Sequence, residues 1–79
     1  MFFIKNEVIE INNEKSYIVL DTTVIENEIF YQIQEVNEDG NNVIGPKTMI
    51  RTITENGNLF IEDVVAEDII MKLGEIFTS

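Results

Sequence analysis

The stretch 17–36 constrains this chain more than any other. Tyr17-Ile18-Val19-Leu20 and Val24-Ile25 on one side, and the run from Ile29 to Val36 on the other, flank the short polar connection Glu26-Asn27-Glu28, with Asn27 as its turn residue. β-Branched and aromatic residues fit a pleated, half-buried surface, so two such runs joined by a polar turn read as a β-hairpin. In the first run Tyr17 and Val19 share one face and Ile18 and Leu20 the other. Both faces are therefore expected to meet protein, as in a barrel or a sheet partly covered by a helix. In the second run Ile29, Tyr31 and Ile33 form an apolar face, with Tyr31 in the core and its hydroxyl at the rim. Phe30, Gln32, Gln34 and Val36 form a more polar face on which Phe30 is expected to be exposed. Asp21-Thr22-Thr23 interrupts the apolar run and marks a bulge or a change of sheet. The competing reading, a small ion-binding corner, has only one carboxylate and two hydroxyls to offer.

Further strands are expected on both sides of this hairpin. Residues 2–4 read as a short strand or arm, 8–11 as a strand with Ile9 and Ile11 on one face, and Asn12-Asn13-Glu14-Lys15 as the turn into 16–20. Asn37-Glu38-Asp39-Gly40-Asn41-Asn42 is a strong turn, with Gly40 placed for positive φ. Its oxygen-bearing side chains invite a calcium reading, but the spacing does not match the twelve-residue EF-hand loop, which has a terminal Glu. Pro46 lacks a ladder donor, so 43–46 reads as a kinked connection, with Pro46 at a strand start or an edge. Residues 47–54 resume the alternation. Lys47 and Arg51 are expected to pair with carboxylates on neighbouring strands. Asn56-Gly57 is a hairpin turn leading into a strand over 59–64. The period then changes: Val65, Ile69, Leu73 and Ile76/Phe77, with Ile70 alongside, predict an amphipathic helix over 66–77. Glu67 and Asp68 in its first turn suit the helix dipole, and Gly74 weakens its last turn. The apolar stripe either covers the sheet or docks a partner.

The expected class is α+β, mostly β: a four- to five-stranded antiparallel meander or small SH3-like barrel with one C-terminal helix, forming a single domain over 1–79. A chain this short buries only about 60–65% of the surface its unfolded form exposes, so its stability margin is small.

Composition narrows the chemistry. Of 79 residues none is Cys, His or Trp. The chain therefore lacks disulfides, thiolates, the commonest metal ligand and the commonest general base. Neither a cofactor nor a metal is expected. Five Lys and Arg against fifteen Asp and Glu leave a formal net charge of −10. That balance opposes direct contact with nucleic-acid phosphates and with anionic membrane surfaces. No apolar run approaches the roughly 20 residues of a membrane-spanning helix. The opening apolar residues are cut short by Lys5-Asn6-Glu7, which points to a cytoplasmic location.

From Tyr17 onward the layout resembles the short acidic YrzB-like bacterial proteins of unknown function. The shared features are a Val-Leu-x-Thr strand (Val19, Leu20, Thr22), an aromatic strand (Phe30, Tyr31) and the turn at Glu55-Asn56-Gly57-Asn58. A Leu-x-x-Glu strand (Leu59, Glu62) follows, then an acidic helix start and a terminal Leu-x-x-x-Phe (Leu73, Phe77). The resemblance covers about three-quarters of the chain. It implies a small cytoplasmic protein of bacterial or phage origin and no particular chemistry.

Three functional classes follow. Catalysis would rest on carboxylates, Thr, Tyr or Lys alone, without a motif that fixes any pair of them, so the chain is not expected to be an enzyme. A protein-interaction module regulating or inhibiting a basic protein, such as one that binds nucleic acid, suits the composition best, with Glu35, Glu38, Asp39, Glu62, Asp63, Glu67 and Asp68 as its partner-binding acidic surface. A sharper form is a phage or mobile-element inhibitor whose carboxylates imitate nucleic-acid phosphates and block a host defence protein. The third class is a homo-oligomeric structural domain without ligand, joined through a strand edge or the stripe Ile69/Leu73/Phe77.

Overall fold

The computed structural model describes residues 3–11 and 14–78. In chain order its elements are β1 (Val8–Ile11), β2 (Lys15–Ile25), β3 (Glu28–Val36), β4 (Val43–Glu55), β5 (Asn58–Asp63) and α1 (Glu67–Thr78). Each strand pairs antiparallel with its neighbour in sequence, giving the order β1-β2-β3-β4-β5. The meander curls into a half-barrel and carries one C-terminal helix, the mostly-β α+β arrangement expected.

Local chemistry sets the hairpins. Ile25 pairs with Glu28 across Glu26 (φ 50°) and Asn27 (φ 69°), and Glu55 pairs with Asn58 across Asn56 (φ 54°) and Gly57 (φ 81°). Positive φ at both central positions is the type I′ turn, whose twist matches that of the flanking strands. Asn27 and Asn56-Gly57 sit at the predicted turns. Glu26 is the costly member, because an L side chain enters the left-handed region at about 1–2 kcal/mol. In the β3–β4 turn the Asn37 Oδ1 accepts from the N–H groups of Asn41 and Asn42 at 3.0 and 3.3 Å, and the Asn37 N–H donates to the Asn42 carbonyl at 2.9 Å. Gly40 has the positive φ expected of it, 71°. Of the turn expected at 12–15, Asn12 and Asn13 lie outside the described residues, as does Phe2 of the arm expected at 2–4.

The pairing register assigns the two faces of the sheet. The β2–β3 ladder shifts between Val19 and Asp21, leaving Leu20 as the extra residue of a bulge next to the polar triplet that signalled one. Without it Asp21 would stand opposite Tyr31. With it Asp21 pairs with Gln32 on the opposite face, and Thr22 takes the place beside Tyr31. The inner face then carries a continuous buried cluster of Ile9, Val19, Tyr31, Ile33 and Ile50, with Ile11, Tyr17, Ile29 and Ile61 half-buried around it.

Two expectations about the central strand change. Phe30 is buried, at 2% exposure, because the C-terminal segment covers its face: Ala66 and Ile69 line a small cleft together with Phe30. Tyr31 is in the core as expected, but its hydroxyl is not at a rim. Tyr31 has no exposed surface, and its hydroxyl accepts the Phe3 N–H at 3.2 Å, with the two rings 5.3 Å apart. A turn closed from the Glu7 N–H to the Ile4 carbonyl, with Asn6 at φ 73°, folds Phe3 back over the core. Phe3 and Ile4 are thus an arm, not a strand.

β4 is longer than the predicted 47–54, because the strand runs through Gly45 and Pro46. A second register shift between Gln34 and Val36 absorbs the kink there. β5 pairs only with residues 50–55 of β4, so Pro46 occupies the half of β4 that is an edge on that side. A Cβ at Gly45 would lie 3.1 Å from Glu35 Cβ, so the close approach of β3 and β4 here leaves little room for a side chain.

The helix begins where the Ala66 carbonyl accepts the Ile70 N–H, with Glu67 and Asp68 in its first turn. Leu73 is fully buried and Ile69 and Phe77, one turn to either side, are half-buried, whereas Val65 is 82% exposed and not part of the buried stripe. At Gly74 nothing lies within 4 Å of the position a Cβ would take. Gly74→Ala is therefore expected to stabilise the fold by about 1 kcal/mol, a melting-temperature rise of about 4–8 °C. A lower melting temperature would contradict this helix placement.

Candidate protein-binding surface

No polar or charged side chain is buried among the described residues, so every carboxylate described reaches the surface. Strand register and the β5–α1 turn gather many of them into two separate patches.

The first patch lies at the end of the sheet where β1 turns into β2 and β3 into β4. Glu10 and Val36 both pair with Ser16, from opposite sides, and Glu10, Glu14, Lys15, Ser16 and Glu38 line one shallow depression. Glu35 adjoins it, its Oε1 3.8 Å from Lys15 Nζ. Asp39 follows Glu38 in the exposed turn.

The second patch centres on Arg51, on the sheet face beside the C-terminal helix. Register places Arg51 between Phe30 on β3 and Glu62 on β5. Its Nη1 donates to both carboxylate oxygens of Glu28 at 3.2 Å, and its Nη2 donates to Glu62 Oε1 at 3.1 Å. The Arg51 pKa is raised, first by the hydrogen bond and charge of Glu62 and then by the charge of Glu28. A raised base contributes stability that is fully present below its unfolded pKa and lost only as pH climbs through the folded one. The guanidinium therefore stays charged in this pairing at neutral pH and would lose its proton only in strong alkali. Glu28, Arg51, Glu62 and Asp63 line a cleft of about 110 Å³ with Phe30, Ala66 and Ile69. Glu67 and Asp68 follow within one helical turn, both exposed.

The seven acidic residues singled out by sequence therefore divide. Glu35, Glu38 and Asp39 belong to the first patch, and Glu62, Asp63, Glu67 and Asp68 to the second. Five residue steps along β3 separate Phe30 from Glu35, about 17 Å at the rise of an extended strand. Glu35 and Glu62 are each engaged by a cation. Of the two cations expected to pair across strands, Arg51 does; among the described residues Lys47 makes no ion pair, and Lys15 is the second paired cation. Sequence reading missed Glu10, Glu14 and Glu28. Each is brought in by strand pairing or turn geometry, and pairing of β1 with β2 was the only sequence signal for Glu10.

A third feature is a groove of mixed polar and apolar lining. Ile11 of β1 and Ile61 and Asp63 of β5 line a cavity of about 260 Å³ together with Tyr17, Ile33 and Ile50. The two edge strands thus face a common groove over the inner side of the sheet. Among the described residues no group of three or more His, Cys, Asp or Glu is arranged to hold a metal ion, and no helix is long and apolar enough to cross a membrane.

Comparison of the chain with protein-family models, with curated proteins and with solved structures found no match.

Arg51 separates two carboxylates that would otherwise repel. Arg51→Gln is expected to lower the melting temperature at low salt, and the deficit should shrink as the Debye length falls from about 30 Å to about 3 Å. An unchanged low-salt melting temperature would show that the pair of ion bridges contributes nothing to the fold.

Proposed function

We propose that this protein is an acidic interaction module, acting by binding a basic protein partner and regulating or inhibiting it, in a cytoplasmic setting. The observation that carries this reading is the disposition of charge. A chain of net charge −10 keeps all its described carboxylates at the surface, and its described ion pairs engage only Glu28, Glu35 and Glu62. Surplus negative charge of this kind accelerates encounter with a cationic surface and weakens as salt rises. Two acidic patches about 17 Å apart favour an extended basic surface over a single point contact. A partner that normally holds nucleic-acid phosphates presents such a surface, which is the form the inhibitor reading takes.

Binding without catalysis is also the simpler use of these side chains. A carboxylate working as acid or base needs a desolvated site, and none of the described carboxylates is fully buried. The net charge also opposes self-association through the acidic patches.

The test is a salt-stepped capture from cell lysate with the native chain and with a Glu10→Gln, Glu14→Gln, Glu38→Gln variant. Release of the captured protein at moderate salt, and loss of capture by the variant, is the expected result. A partner retained at high salt and held equally by the variant would contradict a charge-led interface.

A further inference from the structure

We infer that the open seam of the half-barrel is a strand-addition site, taking an extended segment of alternating apolar and Lys/Arg residues from a basic protein. This deepens the proposed function and rests on it for the sign of the partner's charge.

The argument begins with the backbone of β5. Its two-residue turn makes Glu55 and Asn58 a hydrogen-bonded pair, and antiparallel ladders alternate bonded and non-bonded pairs from there. Phe60 and Glu62 then bond inward to β4, and the Val64 N–H, donated to the Met49 carbonyl at 3.1 Å, continues the same phase. Leu59, Ile61 and Asp63 consequently direct their N–H and C=O groups away from β4. Since β5 pairs with no other strand among the described residues, these groups form a free edge. A free edge is a template for another chain.

Side-chain chemistry at that edge selects the occupant. Leu59, Ile61 and Asp63 share their face with Thr54, Thr52 and Ile50 of β4, the inner face of the curl. Ile11, Tyr17 and Ile61 remain half-exposed around Ile33 and Ile50 and line the groove between the edge strands. An added strand would place alternate apolar side chains over Ile11, Tyr17 and Ile61, completing the cover of the half-exposed rim of the core. Asp63 at the groove and Glu62 on the other face of the same strand stand where flanking cations of that segment would lie. A second copy of this chain would instead bring a net charge of −10 against −10.

The probe is a capped six-residue peptide of alternating lysine and valine, matched to the six residues of β5. It is compared with its glutamate/valine counterpart and with a version N-methylated at alternate residues. Binding is followed through the backbone amide signals of the protein. Seam addition predicts that the lysine peptide shifts the Leu59, Ile61 and Asp63 amides. N-methylation should weaken it at least about tenfold, because up to three backbone hydrogen bonds are lost, and Asp63→Asn should weaken it while leaving the free spectrum folded. Shifts confined to Glu10, Glu14 and Glu38, insensitive to N-methylation, would overturn the seam and leave the acidic module standing. Equal binding of the glutamate peptide at the seam would overturn the charge reading of both. The same shifts on raising protein concentration without peptide would make the seam a self-association surface and overturn the proposal. No binding of any peptide would overturn it as well.

Discussion

At Leu20 the second strand carries one residue more than its neighbour can pair, and the two faces of the sheet depend on where that residue goes. Plain alternation from Val19 would turn Asp21 to the inner face opposite Tyr31, the position that Thr22 occupies instead. The bulge spends one residue to change phase. Val19 stays inside, Asp21 goes out, and Thr22 and Val24 continue the inner face. A single apolar cluster of Ile9, Val19, Tyr31, Ile33 and Ile50 results.

Once the inner face is fixed, the remaining architecture follows from what five strands can close. The curl brings β1 and β5 to a common groove without pairing them, so the inner core is capped at one place by Phe3 and left half-open at another. On the other face Phe30 and Leu73 are buried where the helix lies against the sheet, and Arg51 ties β3 and β5 together through Glu28 and Glu62. Carboxylates are excluded from both layers, which is why the surface carries the charge. Acidic patches and an unsealed groove with half-exposed Ile11, Tyr17 and Ile61 are two consequences of one constraint: a small sheet leaves part of its apolar surface uncovered, and its charges stay outside.

Much of the fold was legible because it is written locally. Asn27, Asn56-Gly57 and Gly40 declare turns through backbone preference, and the change from period two to period three and four announces the helix. The Asp21-Thr22-Thr23 interruption located the bulge. Misplacements came where tertiary packing overrode local pattern. Phe30 looked exposed because Gln32 and Gln34 share its face, and only the returning helix buries it. The Tyr31 hydroxyl, expected at the rim of the core, is covered because Phe3 folds back to donate to it, and no local signal shows that. Pro46 and Gly45 looked like a break because a bulge that keeps a strand running is a property of two strands. For the same reason sequence could name acidic residues without grouping them. Glu10 meets Glu38, and Glu28 meets Glu62, only after register is set.

Residue-resolved amide hydrogen exchange of the unbound protein tests the account most directly, since it reads phase and pairing along each strand. An open, correctly phased half-barrel predicts alternation along β5: Phe60, Glu62 and Val64 slow, and Leu59, Ile61 and Asp63 fast, against uniformly slow exchange at Tyr31 and Ile33 in the centre of the sheet. Uniform protection through β5 would mean that the seam is closed in the free protein. Fast exchange at Phe60 and Glu62 with slow exchange at Ile61 would mean that the register, and with it the assignment of faces, is wrong.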